Sequence, residues 1–204
     1  MASPDSVGFA GLVGRLRAAG ANAARFGSPD LVGQLAQAAH RTVDTVILNL
    51  LDDDPAFPHQ RRVAGVWCGR VIHGLAVLAG GDPKRRAVIA ADSAQSREPW
   101  MRRLLESGTA AIRDGRLAVA AVRGDYPQAH PSLLLRSALG LRLRPRRSPV
   151  ERGVIVVDAA AALLVSLMIE GDTAAVPLGV CETEGNEPVL VWVSPPCTLA
   201  DAVQ

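Results

Sequence analysis

The segment Val154-Ile155-Val156-Val157-Asp158 constrains the fold more than any other, because four successive β-branched residues without polar alternation suit a strand inside a sheet. It is entered from an arginine-rich stretch, Arg142, Arg144, Arg146, Arg147 and Arg152, so Leu141 to Val193 reads as a basic edge feeding a buried sheet. Three earlier runs have a related character. Thr42 to Leu51 is rich in β-branched residues and ends at Asp52-Asp53-Asp54-Pro55, and Ala87–Ala91 and Leu117–Val122 are short apolar runs. Ten residues do not separate strand from helix by periodicity, so Thr42 to Leu51 can also continue the helix before it.

Helical spacing places Leu12, Val13, Leu16 and Ala19 on one face of a helix within residues 7–25. Ser28-Pro29 then reads as the N-cap and first position of a second helix reaching Arg41. Further helices are expected from Pro58 through Val71, over Glu98 to Ser107 with a stop at Gly108, and over Pro131 to Leu139 with a stop at Gly140. Additional strands are expected at Leu75–Leu78, Leu163–Met168, Ala175–Cys181 and Val189–Ser194, the last two joined by a turn at Glu184-Gly185-Asn186-Glu187. Alternation up to Gly140 followed mostly by strands predicts an α/β class. The expected architecture is a mixed sheet flanked by helices, its strands predominantly antiparallel toward the C-terminus. The division expected is an N-terminal helical segment, 1–28, and an α/β domain, 29–204.

With 204 residues, 49% of them hydrophobic, and a mean hydropathy of +0.18, the chain can fill a core, which argues against global disorder. Its aromatics are few: Phe9, Phe26, Phe57, Trp67, Trp100, Tyr126 and Trp192. That scarcity weakens a single-strand nucleic-acid reading, which needs stacking platforms. A net charge of +2 is too small to argue for nucleic acid, and the use of arginine for every basic residue except Lys84 reads first as the mark of a GC-rich genome. Cys68, Cys181 and Cys197 are odd in number and far apart, which suggests neither a disulfide framework nor a zinc site. The first residues lack a signal-peptide pattern, and no apolar run approaches the roughly 20 residues of a membrane span, so a cytoplasmic location without membrane contact is expected.

Three patterns could carry chemistry. Asp52, Asp53 and Asp54 end a candidate strand, where clustered carboxylates can hold Mg²⁺, although adjacent carboxylates before Pro55 more often make a solvated turn. Cys68 and His73 could pair as thiolate and base if the helix ended between them, but their neighbours Val66, Trp67, Val71 and Ile72 favour packing. The arginines 142, 144, 146 and 147 suit an anionic ligand, against the plainer role of a charged edge that deters aggregation. His40, His59 and His130 have no metal-ligand spacing, and no nucleotide fingerprint or serine elbow is present. No metal or cofactor is therefore expected.

Residues Leu35 to Leu50 have the outline of a helix-turn-helix, with Thr42 capping a second helix and Arg41, Thr42 and Thr45 as the DNA-facing candidates. The turn carries His40 in place of glycine, and Ile47 and Leu48 would face the groove, so a buried strand explains these residues better.

The order of helix, apolar strand, helix and short strand, then the arginine-flanked turn, Val154–Asp158, Ala162-Leu163-Leu164 and Val189 to Pro195, resembles one family. It is similar to the degenerate phospholipase-D-like effector domains of TrmB type found in bacterial helix-turn-helix transcription regulators. The resemblance implies that Ala162-Leu163-Leu164 is a strand and that the domain binds and does not cleave, since the His-x-Lys of active phospholipases is absent. The leading expectation is a non-catalytic sensory or interaction domain, linked to transcription, acting through a small-molecule ligand, self-association or a partner protein. Direct DNA binding and an enzyme built on Cys68 with His73 or on the acidic run stand as alternatives.

Overall fold

The computed structural model describes residues 8–18, 30–52, 58–80, 82, 84–171, 176–180 and 189–193. Four strands, β1 (Thr45–Asn49), β2 (Arg86–Asp92), β3 (Leu117–Val122) and β4 (Val154–Asp158), form one sheet in the order β3-β2-β1-β4. Every pairing in it is parallel, with Ile47 opposite Val88 on one side and Val156 on the other. This corrects the expected mixed sheet. Among the described residues, antiparallel pairing occurs only in a separate two-stranded unit of β5 (Val176–Val180) and β6 (Val189–Val193). The physical reason is legible in β1 and β4, where all five positions are buried, as in strands covered by helices on both faces.

Eight helices are described: α1 (Phe9–Ala18), α2 (Leu31–Ala38), α3 (His59–Val66), α4 (Cys68–Ala79), α5 (Pro99–Ser107), α6 (Thr109–Arg113), α7 (Pro131–Leu139) and α8 (Ala159–Glu170). The chain leaves β1 through α3 and α4 to β2, continues outward through α5 and α6 to β3, and returns through α7 to β4 on the other side of β1. The winding direction thus reverses between β1 and β4. The N-cap of α2 is Asp30, whose carboxylate accepts from Gly33 N at 3.0 Å, and not the expected Ser28, which lies outside the described residues. The Glu184–Glu187 turn, Cys181 and Cys197 also lie outside them.

Two expected strands are helices. Leu75–Leu78 belongs to α4, and Leu163–Met168, including the Ala-Leu-Leu of the family resemblance, belongs to α8. Ala159–Ala162 has the highest helix propensity available, Asp158 caps it by accepting from Ala161 N at 2.7 Å, and Gly171 stops it at φ 81°. Because α8 is apolar on every side, its helical period is invisible in the sequence. The helix expected from Pro58 to Val71 is broken at Trp67 (φ −115°, ψ 39°), and α3 and α4 meet there at 99°.

The core lies on both faces of the sheet. Val46, Leu48, Ile89, Ile155 and Val157 meet Leu12 and Leu16 of α1, Leu35 of α2, Leu75 and Leu78 of α4, Leu104 of α5 and Leu163 of α8. Ile47, Val88, Ala90, Val154 and Val156 meet Leu134 and Leu135 of α7, with Leu141 and Leu143 partly buried beside them. α4 and α8 pack closely because residue 74 is glycine: a Cβ there would collide with the carbonyl oxygen of Ala162. The outer edge of β4 is closed by one side chain. Gln34 donates to Val156 O at 2.8 Å and accepts from Val156 N at 2.9 Å, doing the work of a neighbouring strand.

Candidate functional site

Arg146 and Arg147 come together with two helix starts on one groove of about 390 Å³. Its walls are Asp30, Gly33 and Gln34 from α2 and its cap, His130 and Ser132 at the start of α7, and Ser148 before the 3-10 turn Pro149–Arg152. Arg142 and Arg144, expected beside them, are exposed but do not line it. Arg147 bonds Glu151 through Nη1 at 3.5 Å, whereas Arg146 has no ion-pair partner among the described residues. Arg146 is also the one described non-glycine residue at positive φ, 61°, a left-handed conformation costing on the order of 1 kcal/mol.

The helix ends offer charge more than open donors. Asp30 occupies Gly33 N, His130 Nδ1 accepts from Ser132 N at 3.3 Å, and Leu133 and Leu134 donate to His130 O at 3.0 and 2.9 Å. What remains for an anion is the partial positive end of α7 and two guanidinium groups in solvent. Both arginines can present their donors in pairs to a phosphate or carboxylate.

A second polar group lies at the winding reversal, where β1 ends in Asn49 and β4 in Asp158, 4% and 5% exposed. Asn49 donates to Ala129 O at 3.3 Å and accepts from Leu51 N at 3.2 Å. Gln60 of α3 accepts from Ala159 N at 2.9 Å, and its own N–H donates to Asp52 at 2.7 Å. His59 sits in this junction, its imidazole pushed below the usual 6.5 by burial, with nearby Asp158 acting in the opposite direction. The chain's own groups therefore tie together the crevice where this topology places ligands. Sequence reading passed over Asn49, His59, Gln60 and Asp158 as a set. The available signal was a polar residue closing each of two all-apolar strands.

The acidic run contributes Asp52, which also approaches Arg61 Nε at 3.9 Å, while Asp53 and Asp54 lie outside the described residues. No group of three metal-ligating side chains occurs among the described residues. Cys68 and His73 are not brought together as a thiolate pair. α4 is continuous from Cys68, so five residues separate them to different faces of one helix. His73 Nδ1 instead stands 2.9 Å from Ser166 Oγ and 3.2 Å from Glu170 Oε1. Serine and carboxylate share one ring nitrogen and Ser166 is fully buried, so this trio has neither the relay geometry nor the access of a nucleophilic triad.

The helix-turn-helix reading is overturned. Residues Thr45–Asn49 are the interior strand β1, and Thr45 is buried with Oγ1 accepting from Arg86 Nε at 3.2 Å. Arg41 and Thr42 are exposed on the loop before it and belong to no second helix. The β-branched residues that could cap or pack a recognition helix are here the filling of a sheet.

No single helix among the described residues is long and apolar enough to cross a membrane. No protein-family model matches the chain, and no curated protein matches it. Among solved structures, the chain is similar to one from an NAD+-reducing NiFe-hydrogenase in the air-oxidised state, with TM-score 0.70 and 16% identity over 89% of this chain and 36% of that one. A counterpart in the H2-reduced state gives TM-score 0.61 and 18% identity over 85% of this chain and 32% of that one. This chain thus spans about a third of the hydrogenase chains, and identities at this level establish a shared α/β fold alone.

Proposed function

We propose that this chain is a ligand-binding α/β domain with a sensory or interaction role in the cytoplasm, taking a phosphate-bearing small molecule in the groove at Arg146 and Arg147. The convergence of those two arginines with the start of α7 carries the reading. A volume of about 390 Å³ suits a small molecule, and the left-handed backbone at Arg146 is the kind of local strain that accompanies ligand sites. The solved chains that share the fold belong to an enzyme described as NAD+-reducing, which makes nicotinamide and adenine nucleotides the first ligands to try. β3, an outer strand with Ala118, Val119 and Ala121 exposed, offers an edge through which a second copy could report occupancy.

The test is a thermal-shift and calorimetric titration with NAD+, AMP and inorganic phosphate. At least one should raise the melting temperature in a salt-sensitive manner, and Arg146→Ala with Arg147→Ala should remove the rise while leaving the ligand-free melting temperature unchanged. The reading is lost if none of the three stabilises the protein at millimolar concentration, or if the double variant responds like the parent.

A further inference from the structure

A different pocket, of about 250 Å³, opens at the amino ends of β2 and β3, the end of the sheet away from the Asn49 and Asp158 crevice. Much of its wall is apolar, with Ile72, Leu75, Ala76 and Ala79 of α4 beside Ala111 of α6 and Leu117 of β3, and Asp82 stands at its lining, where its Oδ1 accepts from Lys84 N at 2.9 Å. Two guanidinium groups, Arg85 and Arg116, line it with them. We propose that this pocket binds a small amphipathic carboxylate, its hydrocarbon body against the α4 and Leu117 wall and its carboxylate at Arg85 and Arg116.

Arg85 is the reason for an anion. Its Nε donates to Val43 O at 3.1 Å and its Nη1 to Gly80 O at 2.6 Å and Leu78 O at 3.5 Å, while the guanidinium lies over the Phe9 ring at 4.4 Å. All of these partners are neutral. Among the described residues no carboxylate reaches ion-pair distance of Arg85, and Nη2 makes no hydrogen bond. A partly buried cation whose direct partners are all neutral favours an arriving anion, because desolvation has already been incurred and an opposite charge at contact offsets it. Burial lowers the Arg85 pKa, and the carboxylates of Asp82 and Asp44 only partly counter it. Arg116 pairs with Asp114 at 3.0 Å, but their side chains are 63% and 54% exposed, and a pair so open to water exchanges readily for a ligand carboxylate.

The apolar walls select the rest of the molecule. A body of hydrocarbon gains by leaving water against Ile72, Leu75 and Leu117, while a multiply charged phosphate ester would place its other oxygens against those same side chains. This ligand class differs from that proposed at Arg146, and the two sites stand or fall separately.

The probe is octanoate, with octanamide as its uncharged match, titrated into the full chain by calorimetry and thermal shift. Arg85 also ties the end of α4 to Val43, so the informative variants are Ala76→Trp, at an exposed wall position, and Arg116→Ala. Octanoate should bind and stabilise, octanamide should not, Arg116→Ala should weaken octanoate by about threefold, and Ala76→Trp should abolish binding while melting like the parent. Absence of octanoate binding, equal stabilisation by octanamide, or binding undiminished in Ala76→Trp would each overturn the proposal.

Discussion

The two faces of the parallel sheet are built from nearly the same residues and are covered very differently. One face, with Val46, Leu48, Ile89, Ile155 and Val157, packs against residues of α1, α2, α3, α4, α5 and α8. The other, with Ile47, Val88, Val154 and Val156, is covered among the described residues by α7 and the partly buried Leu141 and Leu143. Alternation along each strand distributes similar side chains to both faces, so the difference arises from the helices. The crowded face has the pocket between α4 and Leu117, apolar along α4 and charged at Arg85 and Arg116, and the thinner one borders the polar groove that includes Leu143 and the start of α7. Dense helical cover gives a pocket with a largely apolar wall and charged groups at its lining, whereas sparse cover leaves a groove bordered by backbone turns and helix starts.

The contrast can be broken most strongly at Gly74. Gly74→Ala places a methyl against the Ala162 carbonyl and forces α4 from α8, which should cost about 3 kcal/mol or more in denaturant unfolding. Leu134→Ala removes a fully buried side chain from the thinner face, where α7 can settle into the space, and should cost about 2 kcal/mol. An equal or larger loss at Leu134 would show that the thinner face is no looser than the other.

The smallest expected effect is a pH dependence at His59, in the junction where the winding reverses between the two faces. Burial lowers the His59 pKa below its ordinary 6.5, so the unfolded chain binds more protons there than the folded one. The sign follows: the contribution is fully present above pH 6.5 and is lost as pH falls toward the depressed folded value. Melting temperatures measured from pH 7 to pH 5 should therefore fall more steeply for the parent than for His59→Gln. Parallel slopes would remove His59 from the account.

Strand positions were legible where β-branched and alanine-rich runs were short and bounded. Leu117–Val122 and Val154–Asp158 emerge as expected, and α7 runs from Pro131 to Leu139 with Gly140 after it, as proline and glycine punctuation indicates. The same reasoning failed at Leu75–Leu78 and Leu163–Met168, where apolar runs of strand length were interior pieces of buried helices. For the groove, the charge of Arg146 and Arg147 was visible, but their separation from Arg142 and Arg144 was not, because it depends on where α2 and α7 begin in space. Arg85 carried no signal at all. Its importance comes from Val43, Gly80 and Phe9, the first and last of which are distant in sequence.

The sequence by itself determined an α/β chain with a core, the ends of several elements, and an excess of arginine over lysine, because these follow from local propensity and composition. Tertiary structure decided that the four-stranded sheet is wholly parallel, that Gln34 closes its β4 edge, and which arginines face a cavity. Those outcomes depend on long-range packing, in which a strand's direction and a guanidinium's partners are set by segments that the local sequence does not contain.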